Sequence, residues 1–263
     1  MTIEGRNGMT ASARVVARMR EAFTFQISVD VDAIPLGLSV ARAALAGGVD
    51  LVEMGTPLLK CAGVYNVVPA FRAALPEALL LADMKTMDGG AFEAQAVYGG
   101  GGNIIDFLAA SGVATAKGVC GVRDRFRAEQ PDIARLAFAD ILVPHQGPAA
   151  RAVEVADEMV SAGVDGVGIH LQLDARRADP ELYRSNYLAD VAEAVFERVG
   201  SVASVQVVGG LSIAQAKALA GKGLRAFVIS GNMGVADAEA RFGLPAAEIE
   251  RLVRGFIAEV SAG

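Results

Sequence analysis

The chain has 263 residues, 53% of them hydrophobic and 21% charged, with a formal net charge of -6. That apolar content supplies a large core and excludes disorder, the length suits one (β/α)8 domain of about 250 residues, and the acidic balance excludes the broad basic surface that neutralises a nucleic-acid backbone. Apolar runs such as Ala78–Ala82 and Ile141–Val143 fall far short of the ~20 residues that span a bilayer, so neither nucleic acid nor membrane is expected as a partner.

Residues 1–22 carry scattered charges and lack the uninterrupted apolar centre of a signal peptide, which predicts a cytoplasmic protein. Within them Val15, Val16 and Met19, followed by Phe23, have the spacing of a short amphipathic helix. A barrel does not require it, so this segment reads as an N-terminal extension and 23–263 as a single catalytic barrel domain.

From there short apolar or β-branched runs recur, with alanine-rich amphipathic segments between most of them. They predict strands at Phe25–Asp30, Val49–Met54, Leu79–Lys85, Asn103–Leu108, Ala137–Val143, Gly166–His170, Ala203–Val208 and Ala226–Ser230. Eight strands alternating with helices imply a parallel sheet. Their nearly continuous apolar character fits strands buried on both faces, as in a closed (β/α)8 TIM barrel, with an open doubly wound sheet as the alternative. Gly99–Gly102 reads as the turn before the fourth strand. Ile249, Leu252, Val253, Phe256, Ile257 and Val260 form a helical stripe expected to pack on the barrel wall. Cys61 and Cys120 lack metal-type spacing and are expected to be reduced and structural.

In such a barrel the site is built from the C-terminal strand ends and the loops after them. Asp30 ends the first strand, Glu53 lies at the end of the second, Asp83 and Lys85 end the third, Asp140 lies in the fifth and His170 ends the sixth. Asp83 and Lys85, two apart on a strand, share a face, and Asp88 falls in the turn beyond, giving D-x-K-x-x-D. Each Asp taken alone could equally cap a helix N-terminus. As a set they repel one another unless a cation shares the site, and a hard divalent ion such as Mg2+, or Mn2+ in its place, would relieve that repulsion through oxygen ligands. His170 suits a proton shuttle, with a satisfied core histidine as the alternative. His145, in the loop VPHQGP, is weaker evidence. After the seventh strand come Gly209 and Gly210, and after the eighth Gly231 and Asn232. Glycines there let backbone N–H groups approach a phosphate, or are ordinary turn residues.

Two segments, Ala82-Asp83-Met84-Lys85-Thr86-Met87-Asp88 and Glu53-Met54-Gly55-Thr56-Pro57-Leu58, carry a family resemblance. From about Phe25 onward the chain resembles the orotidine-phosphate decarboxylase suprafamily, and within it the group of 3-hexulose-6-phosphate synthases and 3-keto-L-gulonate-6-phosphate decarboxylases. The resemblance implies a homodimer with shared active sites, Mg2+ held by Glu53 and Asp83, and a sugar phosphate contacted by Asp30, Lys85 and the partner's Asp88, with His170 moving a proton. Leu173 stands where the decarboxylase would carry an arginine, and Asn232 where it has a phosphate-binding arginine. Both features favour the synthase, which adds formaldehyde to ribulose 5-phosphate through a cis-enediolate. The alternatives are the decarboxylase, a non-catalytic phosphosugar-binding barrel and a generic phosphosugar epimerase. The N-terminal extension, the His145 loop and the polar stretch Asp174–Tyr187 depart from the family pattern.

Overall fold

The structure, a computed structural model, describes residues 9–144, 149–209, 211–229 and 243–262. Eight parallel strands close into a barrel in sequence order. They are β1 (Thr24–Val29), β2 (Leu51–Met54), β3 (Leu79–Thr86), β4 (Ile104–Leu108), β5 (Leu136–Val143), β6 (Gly166–Leu171), β7 (Ser204–Val208) and β8 (Ala226–Ile229). Each lies within a residue or two of its expected limits. Closure is completed by β1 pairing with β8, Phe25 beside Phe227. The open doubly wound alternative is thereby excluded.

Helices α2 (Ile34–Gly47), α3 (Thr56–Ala62), α4 (Val64–Ala74), α5 (Gly90–Gly99), α6 (Gly112–Glu129) and α7 (Ala149–Ser161) follow the first five strands. The polar stretch after β6 folds as α8 (Leu173–Ala178), α9 (Glu181–Arg184) and the start of α10 (Tyr187–Val199); α11 (Ile213–Gly221) and α12 (Ala246–Ser261) complete the order. In α12 the expected stripe buries Ile249, Val253, Phe256 and Val260. It packs against α2 and α11, so close to α2 that a Cβ at Gly47 would lie 2.8 Å from Val253 Cγ1. Phe256 also meets Phe25 of β1 edge-on, with ring centroids 6.2 Å apart. Among the two cysteines, Cys120 is buried, and burial pushes its thiol up to about 11. Cys61 is exposed on α3, against the expectation that both were structural.

The N-terminal segment has a larger part than expected. Helix α1 (Ala11–Glu21) is capped by the Thr10 side chain, which accepts from the Ala13 amide. Its Met19, with Val15 and Val16 beside it, packs against Leu51, Leu81, Ile104, Leu136, Phe138 and Ala226 from inside the barrel. The Ser12 hydroxyl donates to the Arg135 carbonyl and accepts from its amide. The lower lumen is thus an apolar plug with α1 as its floor. Met19→Ala should cost about 2–3 kcal/mol, as large-to-small changes at buried methionine do. Urea unfolding checks this, and a loss under 0.5 kcal/mol would show α1 to be dispensable to the core.

Candidate active site

Above that plug the inward-facing positions turn polar. The parallel register sets Ser28 beside Glu53, Asp83 beside Asp106, and Gly168 between Asp140 and Gln206. Glu53, Asp83, Asp106, Asp140, Gln26 and Gln206 are all buried. Burying so many polar groups is costly unless they satisfy one another or a ligand.

Lys85 holds the centre. Its Nζ lies 3.0 Å from Asp83 Oδ1 and 2.8 Å from Asp140 Oδ2. His170 Nδ1 lies 2.8 Å from the same Asp140 oxygen, and 3.5 Å from the lysine nitrogen. Donation from Nδ1 to the carboxylate leaves Nε2 as the ring nitrogen able to take a proton. Lys85 reaches this place through an irregular strand end. The pairing jumps from Asp83 opposite Asp106 to Thr86 opposite Phe107, and Lys85 itself has φ 46°. A bulge of this kind re-aims a side chain, and the left-handed backbone costs a non-glycine residue of order 1–3 kcal/mol.

On the β1–β2 side, Glu53 accepts from Gln26 Nε2 at 2.5 Å and from Ser28 Oγ at 2.9 Å, and Ser28 Oγ also lies 3.0 Å from Asp30 Oδ2. Thr56 Oγ1 donates to Asp83 Oδ2 at 2.6 Å. Gly55 is required here: a Cβ would fall 2.3 Å from Asp30 Oδ1 and 2.7 Å from the Val29 carbonyl.

Charge is unevenly distributed. Burial, then Asp83 and Asp30, push the Glu53 carboxyl well above the carboxylate range, and burial, then Asp140 and Asp83, do the same to Asp106. Burial opposes ionisation of Asp140 as well, but Lys85 and then His170 outweigh it and hold its carboxyl below the usual range. Burial would lower the Lys85 ammonium, yet Asp140, Asp83 and Asp106 together raise it. The upper lumen therefore holds a fixed cation–anion–imidazole set beside acids that favour their protonated forms.

Of the expected site residues, Glu53, Asp83, Lys85, Asp140 and His170 come together, and Asp30 joins through Ser28. Asp88 does not. It is exposed beyond β3, its Oδ1 accepting from the Gly89 amide at 2.8 Å. Gly209 has φ 103°, and its Cα passes so close to β6 that a Cβ would lie 2.9 Å from the Leu171 backbone, which is reason enough for glycine there. Gly210, Gly231, Asn232 and His145 lie outside the described residues. The sequence reading missed Gln26, Ser28, Thr56, Asp106 and Gln206. Their signal was parity: Gln26 and Ser28 are even steps from Asp30 on one strand face, and Asp106 stands alone in the apolar run IIDFL.

The sequence profile of the Orotidine 5'-phosphate decarboxylase / HUMPS family matches residues 24–231. A 3-hexulose-6-phosphate synthase from Methylomonas aminofaciens is 30% identical over 191 residues, 71% of this chain and 82% of the relative. Among solved structures, a 3-hexulose-6-phosphate synthase superposes with TM-score 0.70 at 25% identity, covering 89% of this chain and 99% of that one. The 3-keto-L-gulonate-6-phosphate decarboxylase of Vibrio cholerae has the same fold, with TM-score 0.68, 20% identity and coverage of 91% and 99%.

Proposed function

The chain belongs to the Orotidine 5'-phosphate decarboxylase / HUMPS family, and we propose that within it the protein is a 3-hexulose-6-phosphate synthase, adding formaldehyde to D-ribulose 5-phosphate. The observation that carries this reading is Lys85 held between Asp83 and Asp140 with His170 on the same Asp140 oxygen. A non-catalytic phosphosugar-binding barrel has no need for a cation and a proton carrier fixed on one carboxylate. Likeness to the Methylomonas synthase and the apolar Leu173, exposed at the start of α8 just past His170, favour the synthase over the decarboxylase.

In this mechanism His170 Nε2 takes a proton from C1 of the ketose, and Asp140 stabilises the imidazolium that results. The Lys85 ammonium faces the negative charge spreading over the two oxygens of the cis-enediolate. Carbon C1 then attacks the formaldehyde carbon, a C–C bond forms as the C=O π bond opens, and His170 returns its proton to the new alkoxide. Asp30 would bind a substrate hydroxyl. Gly209, Gly210, Gly231 and Asn232 would hold the phosphate.

The donor set suits Mg2+, or Mn2+ in its place. Glu53 and Asp83 offer carboxylate oxygens in one buried region, and the elevation of Glu53 by burial and its acidic neighbours is what a cation would reverse. Among the described residues no three His, Cys, Asp or Glu side chains form a complete metal cage. Glu53 and Asp83 alone would hold the ion, with substrate and water supplying further oxygens. When bound, the ion supplies Lewis-acid stabilisation of the enediolate oxygens. Exhaustive EDTA treatment should lower formaldehyde-dependent consumption of ribulose 5-phosphate by at least about a hundredfold, with recovery on adding Mg2+. Full activity after chelation would reject the metal.

Asp88 reaches its role in a homodimer, contacting substrate in the neighbouring subunit's site. Exposed Met87 and Phe92 flank it, and Tyr65 is exposed on α4. Mixing inactive Asp88→Ala subunits with inactive Lys85→Ala subunits should restore turnover through the one intact site of each mixed dimer. Verified mixed dimers without activity would overturn shared sites. The two free cysteines support a cytoplasmic location; among the described residues no helix is long and apolar enough to cross a membrane.

A further inference from the structure

Gly168 sits in the middle of β6, and its backbone is not in the left-handed region, so the chain conformation does not demand glycine there. Glycine inside a strand weakens it, and often marks close approach of a ligand. A Cβ at this position would lie 3.2 Å from Asp140 Oδ1 and 3.6 Å from Gln206 Nε2. Asp140 and Gln206 are the cross-strand neighbours of Gly168 on either side, and are only 2% and 1% exposed. Neither of the two atoms has a hydrogen-bond partner among the described residues. One is an acceptor and the other a donor, and both border the space over the Gly168 Cα.

We propose that Gln206 is a positioning residue for Asp140, acting through an ordered water molecule bound over Gly168. The water accepts from Gln206 Nε2 and donates to Asp140 Oδ1, the two polar partners that a buried water requires at minimum. Asp140 Oδ2 carries both Lys85 and His170, so fixing Oδ1 fixes the plane of the carboxylate and with it the direction of both reacting side chains. Carboxylate partners of this kind orient an imidazole and set its tautomer. Gly168 contributes by having no side chain where the water sits.

The inference rests on the synthase reading only for its kinetic consequence, because crystals would report the water and the carboxylate whatever the reaction. In crystals of the unmodified protein diffracting to about 1.5 Å, density for one water is expected within about 3.2 Å of both atoms. In crystals of Gln206→Met, the Asp140 carboxylate is expected to rotate and its contact with His170 Nδ1 to lengthen past 3.2 Å, whatever reaction the protein catalyses. With ribulose 5-phosphate and formaldehyde, Gln206→Met and Gly168→Ala should each lower kcat about tenfold with KM changed less than about twofold, since orientation rather than binding is lost. The double variant should be no worse than the poorer single, as expected for residues acting through one water. If Gly168→Ala does not fold, Gln206→Met and the unmodified crystals carry the test. A direct Gln206–Asp140 hydrogen bond, no water at the site, or an unmoved carboxylate in Gln206→Met would overturn the proposal. Water and rotation seen without any synthase turnover would sink the synthase reading alone.

Discussion

Replacing Lys85 with methionine should lower kcat/KM for formaldehyde addition by at least ~10^3-fold, since a fixed charge facing a developing oxyanion contributes several kcal/mol. The side chain keeps nearly the same length and loses only its ammonium, so the change isolates charge. It also leaves Asp83 and Asp140 facing each other without the cation between them. Breaking a buried pair in this way costs about 3 kcal/mol, which a urea midpoint would register. The sign with pH follows from the direction of each shift. The raised Lys85 ammonium gives stability that is full below its unfolded pKa and is lost only as pH rises through its folded one. The depressed Asp140 gives stability present above the ordinary carboxylate range and lost as pH falls through its lower folded value. Near neutrality both contributions are intact, so the deficit of Lys85→Met should be fully expressed there. Retention of a tenth of the activity would remove Lys85 from the chemistry.

The second large effect concerns reaction choice. Leu173 opens α8 with half its surface exposed, two residues from the strand that delivers His170. A decarboxylase would set an arginine there to help deliver a proton to the enediolate. In the proposed reaction an apolar side chain would leave the enediolate unprotonated for longer and open to an aldehyde. Formaldehyde addition to ribulose 5-phosphate should therefore exceed decarboxylation of 3-keto-L-gulonate 6-phosphate by at least ~100-fold in kcat/KM, about 2.7 kcal/mol of transition-state preference. Leu173→Arg should narrow the gap about tenfold. Equal efficiencies in the unmodified protein, measured side by side, would transfer the assignment to the decarboxylase.

What the sequence made legible follows from how local each signal is. Strands buried on both faces write themselves as apolar runs, so all eight were found within a residue or two. Asp83, Lys85 and His170 stood out because charge at the end of such a run has no packing explanation. Asp106 and Gln206 stayed hidden because one polar residue inside an apolar run looks like tolerance of the strand rather than a lumen-facing group. Only the register, which sets Asp106 against Asp83 and Gln206 against Gly168, gives them meaning. The left-handed Lys85 was equally out of reach, since a bulge depends on the neighbouring strand. The helix at the N-terminus was readable from Val15, Val16 and Met19, but its docking was not. That face meets residues from five separate strands, a surface that exists only once the barrel has closed.

That sealed floor also governs traffic. With Met19 and the apolar layer above it stopping the lower end, the polar groups of the upper lumen face the C-terminal rim of the strands. In the synthase reaction proposed above, two reactants and one larger product would share that rim. A phosphosugar held by its phosphate there would stand across that approach, so the small aldehyde would either enter past it or wait inside. The product of that reaction would have to clear the rim before either reactant could return. On that reading the order of arrival would follow from the closed floor rather than from the reacting groups.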